Sequence, residues 1–271
     1  MSFPGSVLLS DAEIRNVTTT KRLPLGTRGY TSDGRAFRYA LNSSTAIAIG
    51  KLVQQAVPDA SMDADLDLCT STLYANADYQ DTNSSAVYIK PAATEVIAAN
   101  VYQDGYLYVN DNYGEGNYVI VKDHLALDGT VSVVWKINFR SDSKLGTTLT
   151  TLSQVGLIQN KYTEVVVRPA TARTGVPLGV TVRTFTASTY GWLQTWGPAV
   201  CHVILAAVAG APLSDDTMTG TGTAGTIHKI ATSTDPAAAG TANMNFGKFI
   251  GNALAPVATD EYCLVDLAIS P

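Results

Sequence analysis

The sequence is poor in charge and in cysteine. Only 15% of its 271 residues are charged, whereas 46% are hydrophobic, which fits a globular chain and argues against disorder. A surface with little Lys and Glu is easily desolvated, so the composition favours extensive subunit contacts, with an ordinary Thr/Ser/Asn-rich surface as the alternative. The three cysteines are Cys69, Cys201 and Cys263. They form no CxxC pair, so we expect buried, reduced thiols and neither a zinc site nor a disulfide framework.

Sequence motifs of common enzymes are also missing. There is no GxSxG, no HExxH and no P-loop in the chain. A formal GxGxxG at 220–225 lies in a Thr/Gly-rich stretch with no predicted helix after it, so a surface loop is the expected structure. We therefore predict no enzyme, no catalytic residues, no cofactor and no metal site. A hydrolase whose carboxylates pair only in the folded chain stays open as a weaker alternative.

The N-terminus lacks the basic region and sustained apolar core of a signal peptide. The apolar window Pro198–Pro212 is too short to span a bilayer. We expect a soluble protein with no membrane partner, assembled in a reducing cytoplasm.

Charge alternates in blocks along the chain. Residues 1–53 hold seven basic and three acidic side chains (+4), and residues 54–134 hold two basic and twelve acidic ones (−10). Residues 135–183 hold seven basic and two acidic side chains (+5), and residues 184–271 hold two basic and six acidic ones (−4). Such blocks favour a protein that meets copies of itself or a patterned partner, and they argue against a nucleic-acid partner.

The stretch from Asp104 to Ile137 indicates the fold class. Its β-rich runs Tyr106–Val109 and Tyr118–Val121 flank a loop of Asn, Asp, Gly and Glu, and a third run, Thr130–Ile137, follows the turn at 128–129. Three strands joined by short turns predict a meander. The chain is therefore expected to be all-β.

The rest of the chain extends this prediction. Residues 1–25 are punctuated by proline and predict an extended arm, and Asp33-Gly34 predicts the turn of a β-hairpin after it. The continuous apolar run Ala199–Ala209 predicts a strand buried on both faces. We expect a β-barrel or β-sandwich body with little helix.

The predicted domains are an N-terminal arm and hairpin, 1–53, and a β-rich body, 54–271. The body divides, in one interpretation, into sub-domains 54–165 and 166–271.

Three aspartates, Asp63, Asp65 and Asp67, alternate in a predicted strand over Met62–Cys69 and would share one face. Such a cluster of carboxylates could hold Ca²⁺, but a calcium loop normally also needs glycine and backbone carbonyls. A solvated acidic face is therefore the favoured interpretation.

Arginine and aromatic side chains mark the candidate contact residues. Arg and Tyr are enriched in interface cores, so the hairpin predicts a protein-contact ribbon more strongly than an RNA contact, and an ordinary edge hairpin with solvated arginines is the other alternative. Near the C-terminal half, Trp192, Gln194 and Trp196 would share one strand face, either as a sugar-stacking platform or, more simply, as a core or interface ridge. The predicted contact residues are Arg15, Arg22, Arg28, Tyr30, Arg35, Phe37, Arg38, Tyr39, Trp192 and Trp196.

Four segments together resemble a tailed-bacteriophage capsid decoration, or cement, protein. They are Gly26–Ala40 with Gly50–Val53, Asp104–Lys122 with Gly114-Glu115-Gly116, Tyr190–Gly197, and Phe249–Leu254 with the C-terminal strand. The resemblance implies a β-rich virion protein on the outer capsid surface, made in the bacterial host cytoplasm. It also implies the major capsid protein and further copies of the chain, as a dimer or trimer, as partners.

Residues 1–53 would then anchor the protein on the capsid. The alternative function is a tail-fibre or spike-type carbohydrate-binding module that uses Trp192 and Trp196.

Overall fold

The computed structural model describes residues 6–63, 65–68, 82–91, 95–128, 134–170, 174–204, 207, 209–214, 223–229, 249–256 and 258–270. The chain is all-β, with one four-residue helix among these residues. In the first half the elements are β1 (Ser6–Leu8), α1 (Asp11–Ile14), β2 (Arg28–Tyr30), β3 (Ala36–Leu41), β4 (Leu52–Gln54), β5 (Leu66–Leu68), β6 (Ala86–Lys90), β7 (Val96–Ile97), β8 (Tyr106–Asp111), β9 (Tyr118–His124), β10 (Leu127–Asp128) and β11 (Trp135–Phe139). In the second half they are β12 (Gln154–Ile158), β13 (Val166–Val167), β14 (Pro177–Thr181), β15 (Tyr190–Val203), β16 (Pro212–Ser214), β17 (His228–Lys229), β18 (Phe249–Ala253) and β19 (Glu261–Ala268). No helix in the described part of the chain is long and apolar enough to cross a membrane.

The chain forms two compact units. The first consists of residues 1–57 and 161–271, and the second of residues 58–160. The predicted sub-domain 54–165 encloses the second unit, whereas the predicted N-terminal domain 1–53 is not a unit of its own. The reason is strand pairing: β3 lies directly against β15, so the N-terminal hairpin belongs to the sheet built by the C-terminal half.

The first unit is built on an eleven-stranded sheet. Its main path runs β1-β2-β3-β15-β19-β18-β16-β17, and β4, β13 and β14 branch from β15. The 14-residue strand β15 is central because its first half pairs with β3 and its second half with β19. Cys201 and Cys263 face each other across β15 and β19 as buried free thiols, as predicted, and Cys69 lies outside the described residues.

The N-terminal segment is not an extended arm over its described part. Strand β1 pairs with β2, and α1 follows with a capping box in which Ser10 and Glu13 bond each other's backbone N–H. Leu9 and Ile14 are buried in the same apolar core as Trp192. Apolar burial therefore holds this segment on the sheet, which the proline punctuation alone did not predict.

The predicted hairpin is confirmed, with β2 and β3 antiparallel. Its turn is longer than two residues: the Thr31 N–H donates to the Arg35 carbonyl, and Gly34 adopts φ +88°. That left-handed backbone conformation favours glycine, which explains the Asp33-Gly34 signal.

The second unit is a closed antiparallel barrel of six strands in the order β11-β6-β5-β12-β8-β9. The predicted meander is confirmed by the pairs β8–β9 and β9–β11, although residues 130–133 of its third run lie outside the described residues. Alternate residues of each strand point inwards, so Leu107, Val109 and Ile137 are fully or almost fully buried while Tyr106 faces outwards. Closure leaves the barrel without free strand edges.

The aspartate triplet does not form the predicted strand face. Strand β5 begins only at Leu66, and Asp65 has φ +60°, which interrupts an extended strand. Asp63 and Asp65 therefore precede the strand, and Asp67 alone of the three lies in it.

Candidate binding face and polar cluster

An exposed apolar surface covers one side of β15 and β19 in the first unit. Val200 lies directly opposite Leu264, and the backbone N–H of Leu254 donates to the Leu264 carbonyl at 2.8 Å. We call this surface the apolar face; its residues are Trp196, Pro198, Val200, Leu254, Tyr262 and Leu264. Apart from Pro198, which is also exposed, these side chains are between 41% and 51% exposed.

The apolar face arises because both sides of these strands carry apolar residues. The intervening residues, among them Ala199, Cys201 and Val265, point into the core and are buried. The prediction that the run from Ala199 is buried on both faces is therefore wrong for Val200: one side packs against the core and the other faces solvent. The solvated side of an antiparallel sheet is normally polar, so an apolar one marks an interaction surface.

Three polar side chains meet at one end of the apolar face. Lys51 precedes β4, His202 lies near the end of β15, and Asp260 precedes β19. Lys51 Nζ lies 2.6 Å from His202 Nδ1, and His202 Nε2 lies 3.1 Å from an Asp260 carboxylate oxygen. We call these three residues the polar cluster.

Packing fixes the polar cluster. The ring of Tyr262 stacks on the His202 ring with centroids 5.0 Å apart and planes 27° from parallel. Gly50 has φ +72°, and a Cβ at this position would lie 2.6 Å from Cε1 of Tyr262, so a larger residue would displace the ring. Burial lowers the pKa of Lys51, and the nearby Asp260 carboxylate acts in the opposite direction.

The predicted contact residues of the hairpin are divided between core and surface. Phe37 and Tyr39 are buried in the core of the first unit, which removes them from the predicted exposed contact ribbon. Arg35 is half-buried between Asp11 and Asp33, at 2.8 and 2.7 Å, and Arg38 donates to the Gly26 carbonyl and to Ser270. The exposed members of the predicted set on this part of the chain are Arg15, Arg22, Arg28 and Tyr30.

The two predicted tryptophans do not form one exposed platform. Trp192 is 8% exposed and Trp196 is 41% exposed. An irregularity in the pairing of β15 with β3 separates them, since Gln194 lies opposite Phe37 whereas Trp196 lies opposite Ala36. Trp192 therefore belongs to the core and Trp196 to the apolar face.

Trp192 instead lines a small pocket in the first unit. The cavity measures about 110 Å³ and is also lined by Arg22, Tyr39 and Tyr190, with Glu13 and Asn16 among its polar residues. Tyr39 stacks on Tyr190 and meets Trp192 edge-on, with ring centroids 6.0 and 5.2 Å apart. Three predicted contact residues thus meet in one pocket.

The second unit carries a shallow tyrosine-lined depression of about 330 Å³ on the outside of its barrel. Tyr106 and Tyr118 meet edge-on there with ring centroids 6.0 Å apart, and Tyr108 packs over Gly156. The Tyr108 hydroxyl donates to the Asp63 carbonyl. The depression is largely apolar, because tyrosine rings form much of its lining and each ring carries a single polar group, the hydroxyl.

No group of three His, Cys, Asp or Glu side chains suited to a metal ion occurs in the described part of the chain. Of the formal GxGxxG, residues 220–222 lie outside the described residues.

Sequence reasoning missed both the apolar face and the polar cluster. The alternation of Tyr262 and Leu264 with the buried Cys263 and Val265 is visible in the sequence, and it is the signal that both sides of β19 are apolar. The members of the polar cluster are far apart in the chain, and their meeting depends on long-range pairing.

No protein-family model, no curated protein and no solved structure matches this chain. What the chain binds is therefore inferred from the geometry of these sites.

Proposed function

We propose that this chain is a structural binding protein of a phage virion that adheres to the outside of the assembled capsid through the apolar face. The observation that carries the proposal is a preformed apolar surface on a central pair of strands. Removal of apolar surface from water contributes about 25 cal/mol per Å² before the entropic costs of association are subtracted, so the hydrophobic effect favours a covered face over an exposed one.

The apolar face has the composition of an interface. Trp and Tyr supply large contact area at low entropic cost, and Trp196 and Tyr262 occupy its two strands. Exposed polar residues also reach this side of the sheet, since Asp266 lies opposite Pro198 of the apolar face and opposite Asn252 of β18. A single small face binds weakly. When copies of the chain are linked to one another on one shell, their weak contacts combine into a higher overall affinity.

Co-sedimentation with purified capsids that lack this protein, prepared from the phage that encodes it, tests the proposal. The wild-type chain is expected to sediment with the capsids in a saturable manner. Val200→Asp is expected to weaken binding by about tenfold or more, because burying an unpaired carboxylate costs more than about 1.4 kcal/mol.

Val176→Asp is the matched control, since Val176 and Val200 are exposed to similar extents, 47% and 51%, and only Val200 lies on the apolar face. Equal binding by both variants and the wild type would overturn the role of the apolar face. No sedimentation of the wild type with capsids would overturn the function itself.

A second candidate function is saccharide binding at the pocket that Trp192 lines. Aromatic walls suit the apolar face of a sugar ring, and the polar side chains of Arg22, Glu13 and Asn16 offer donors and acceptors for its hydroxyls. A glycan screen in which Arg22→Ala abolishes a hit and Arg28→Ala retains it would favour this function; a silent screen would eliminate it.

A further inference from the structure

The polar cluster contains an uncommon contact, because the Lys51 ammonium group faces an imidazole nitrogen and not a carboxylate. The 2.6 Å separation of Lys51 Nζ and His202 Nδ1 requires that one of the two nitrogens accept a hydrogen bond. Asp260 sits on the other ring nitrogen at 3.1 Å. An ionised carboxylate only accepts, so His202 Nε2 carries a hydrogen and donates it to Asp260. In the neutral ring, Nδ1 then presents its lone pair to Lys51.

This is the arrangement of an activated nucleophile. A nucleophilic side chain lies within hydrogen-bond reach of a base, and a third group orients the base. In the polar cluster the amine of Lys51 is the first group, the imidazole of His202 the second and the Asp260 carboxylate the third. The cluster differs from a Ser-His-Asp triad in that an amine takes the place of the hydroxyl.

We propose that Lys51 is a nucleophilic amine that accepts acyl groups from activated esters, with His202 as its base and Asp260 as the positioning residue. This inference does not depend on capsid binding.

The reaction balances without a further reactant. The neutral amine of Lys51 attacks the carbonyl carbon, the new C–N bond forms, and the C–O bond to the leaving group breaks. The nitrogen loses one proton to His202 Nδ1, and the imidazolium that results is stabilised by the Asp260 carboxylate. The proton then passes to the departing alkoxide or to water, which restores the neutral ring. The product is an amide on Lys51.

The surroundings of Lys51 favour this chemistry. Burial lowers the pKa of the amine, although Asp260 partly opposes the shift, so the reactive neutral form is more abundant than on an exposed lysine. The titratable groups that face the cluster are His202 from β15, Asp260 from the turn before β19 and Tyr262 from β19. A Cβ at Gly225 would lie 2.9 Å from Lys51 Cβ, so the chain on that side packs closely against the lysine stem.

Competitive acylation measures the proposal directly. The full-length protein is treated with a limiting amount of the N-hydroxysuccinimide ester of acetic acid between pH 6 and 10, and peptide mass spectrometry follows the rate at each lysine. Lys122 is the reference, because it is exposed and also lies near a carboxylate, 3.6 Å from Asp123. Each unit by which the pKa is lowered gives about tenfold more neutral amine at pH 7. Lys51 is expected to react faster than Lys122 at pH 7, with its pH–rate midpoint at lower pH.

Two variants separate the base from simple burial. His202→Gln keeps a hydrogen-bond acceptor but cannot take up the proton, so it is expected to slow Lys51 and leave Lys122 unchanged. Asp260→Asn is expected to move the pH–rate midpoint of Lys51 to still lower pH, because it removes the carboxylate that opposes the lowered pKa. It is also expected to lower the limiting rate at high pH, because the imidazolium of His202 loses its charged partner, and a merely structural residue would do neither. If His202→Gln fails to fold, the pH–rate profiles of Lys51 and Lys122 in the wild-type protein test the proposal. A Lys51 midpoint at or above that of Lys122, or a Lys51 rate no faster than that of Lys122 at pH 7, would overturn the proposal.

Discussion

The two units differ in whether the edges and faces of their β-sheets are covered. The second unit closes six strands into a barrel, so the inward side chains form one core and each barrel strand has a partner on both sides, while β7 and β10 form a separate pair. The first unit keeps an open eleven-stranded sheet with two separate cores, and it leaves apolar side chains exposed on β15 and β19. A closed unit is complete by itself, whereas the open one retains surface that a partner can cover.

Charge follows the same division. The first unit, 1–57 with 161–271, contains 13 basic and 10 acidic residues, a net charge of +3. The second unit, 58–160, contains 5 basic and 13 acidic residues, a net charge of −8. The acidic barrel repels copies of itself, while the weakly basic first unit does not oppose contact with an acidic or neutral surface. The difference in charge therefore supports the proposal that the first unit makes the contact with the capsid.

The largest expected effect concerns the barrel core. Ile137 is fully buried there, so Ile137→Ala should lower the free energy of unfolding of the second unit by about 2–5 kcal/mol through lost burial and a residual cavity. Labelling with 5-fluorotryptophan gives one ¹⁹F signal per tryptophan during urea unfolding, with Trp135 in the barrel and Trp192 and Trp196 in the first unit. The Trp135 transition should shift most. Equal shifts of all three signals would show that the units unfold as one.

A smaller effect distinguishes a packed N-terminal segment from a free arm. Leu9 is 6% exposed and packs over Gly29, whereas its neighbour Leu8 is 60% exposed. Leu9→Ala should therefore destabilise the first unit by about 2 kcal/mol, and Leu8→Ala by less than about 0.5 kcal/mol. Thermal or urea unfolding of the pair provides the measurement. Equal and negligible effects of the two substitutions would indicate that residues 6–25 form an arm that is not packed on the sheet.

The smallest effect is a pH dependence confined to the second unit. His124 is buried, accepts from the Tyr102 N–H through Nε2 at 3.0 Å and donates through Nδ1 to the Leu125 carbonyl at 2.9 Å. Both bonds suit the neutral ring, and burial lowers the pKa of His124 below its ordinary value of 6.5, although Leu125 and Asp123 oppose the shift. As pH falls, His124 therefore takes up a proton in the unfolded chain at a higher pH than in the folded chain. The contribution of His124 to stability is complete at pH values above the unfolded pKa of about 6.5, and it declines as pH falls from there to the lowered folded pKa.

Urea unfolding at pH 7.5 and at pH 5.5 checks this dependence, with a loss of at most about 1.4 kcal/mol for each unit by which the pKa is lowered. His124→Gln, which cannot take up a proton in this range, should remove the contribution. A dependence that persists unchanged in the variant would assign it to other groups.

Local patterns made the fold class predictable. The alternation around Tyr106 and Tyr118, and the turn at Asp33-Gly34, depend on neighbouring residues, and both the meander and the hairpin are present. Whether a strand is covered depends on distant segments. Phe37 and Tyr39 have the composition of a contact ribbon, yet the N-terminal segment packs in the same core and buries them.

The sites were less predictable for the same reason. Val200 lies in an apolar run typical of a fully buried strand, and the sequence does not reveal that nothing in the described structure covers its outer side. Lys51, His202 and Asp260 are brought together only when β15 pairs with β19 and the chain around Gly50 bonds to both β14 and β15. A periodic pattern of apolar residues does not reveal contacts between residues so far apart in the chain.

Hydroxyl-radical footprinting of the chain, free and bound to capsids, shows directly which unit binds, because both units carry exposed aromatic side chains. If the apolar face binds the capsid, Trp196 and Tyr262 on this face lose their oxidation on binding, while Tyr106 and Tyr118 on the barrel keep theirs. Protection of the barrel tyrosines with unchanged oxidation of Trp196 and Tyr262 would contradict it.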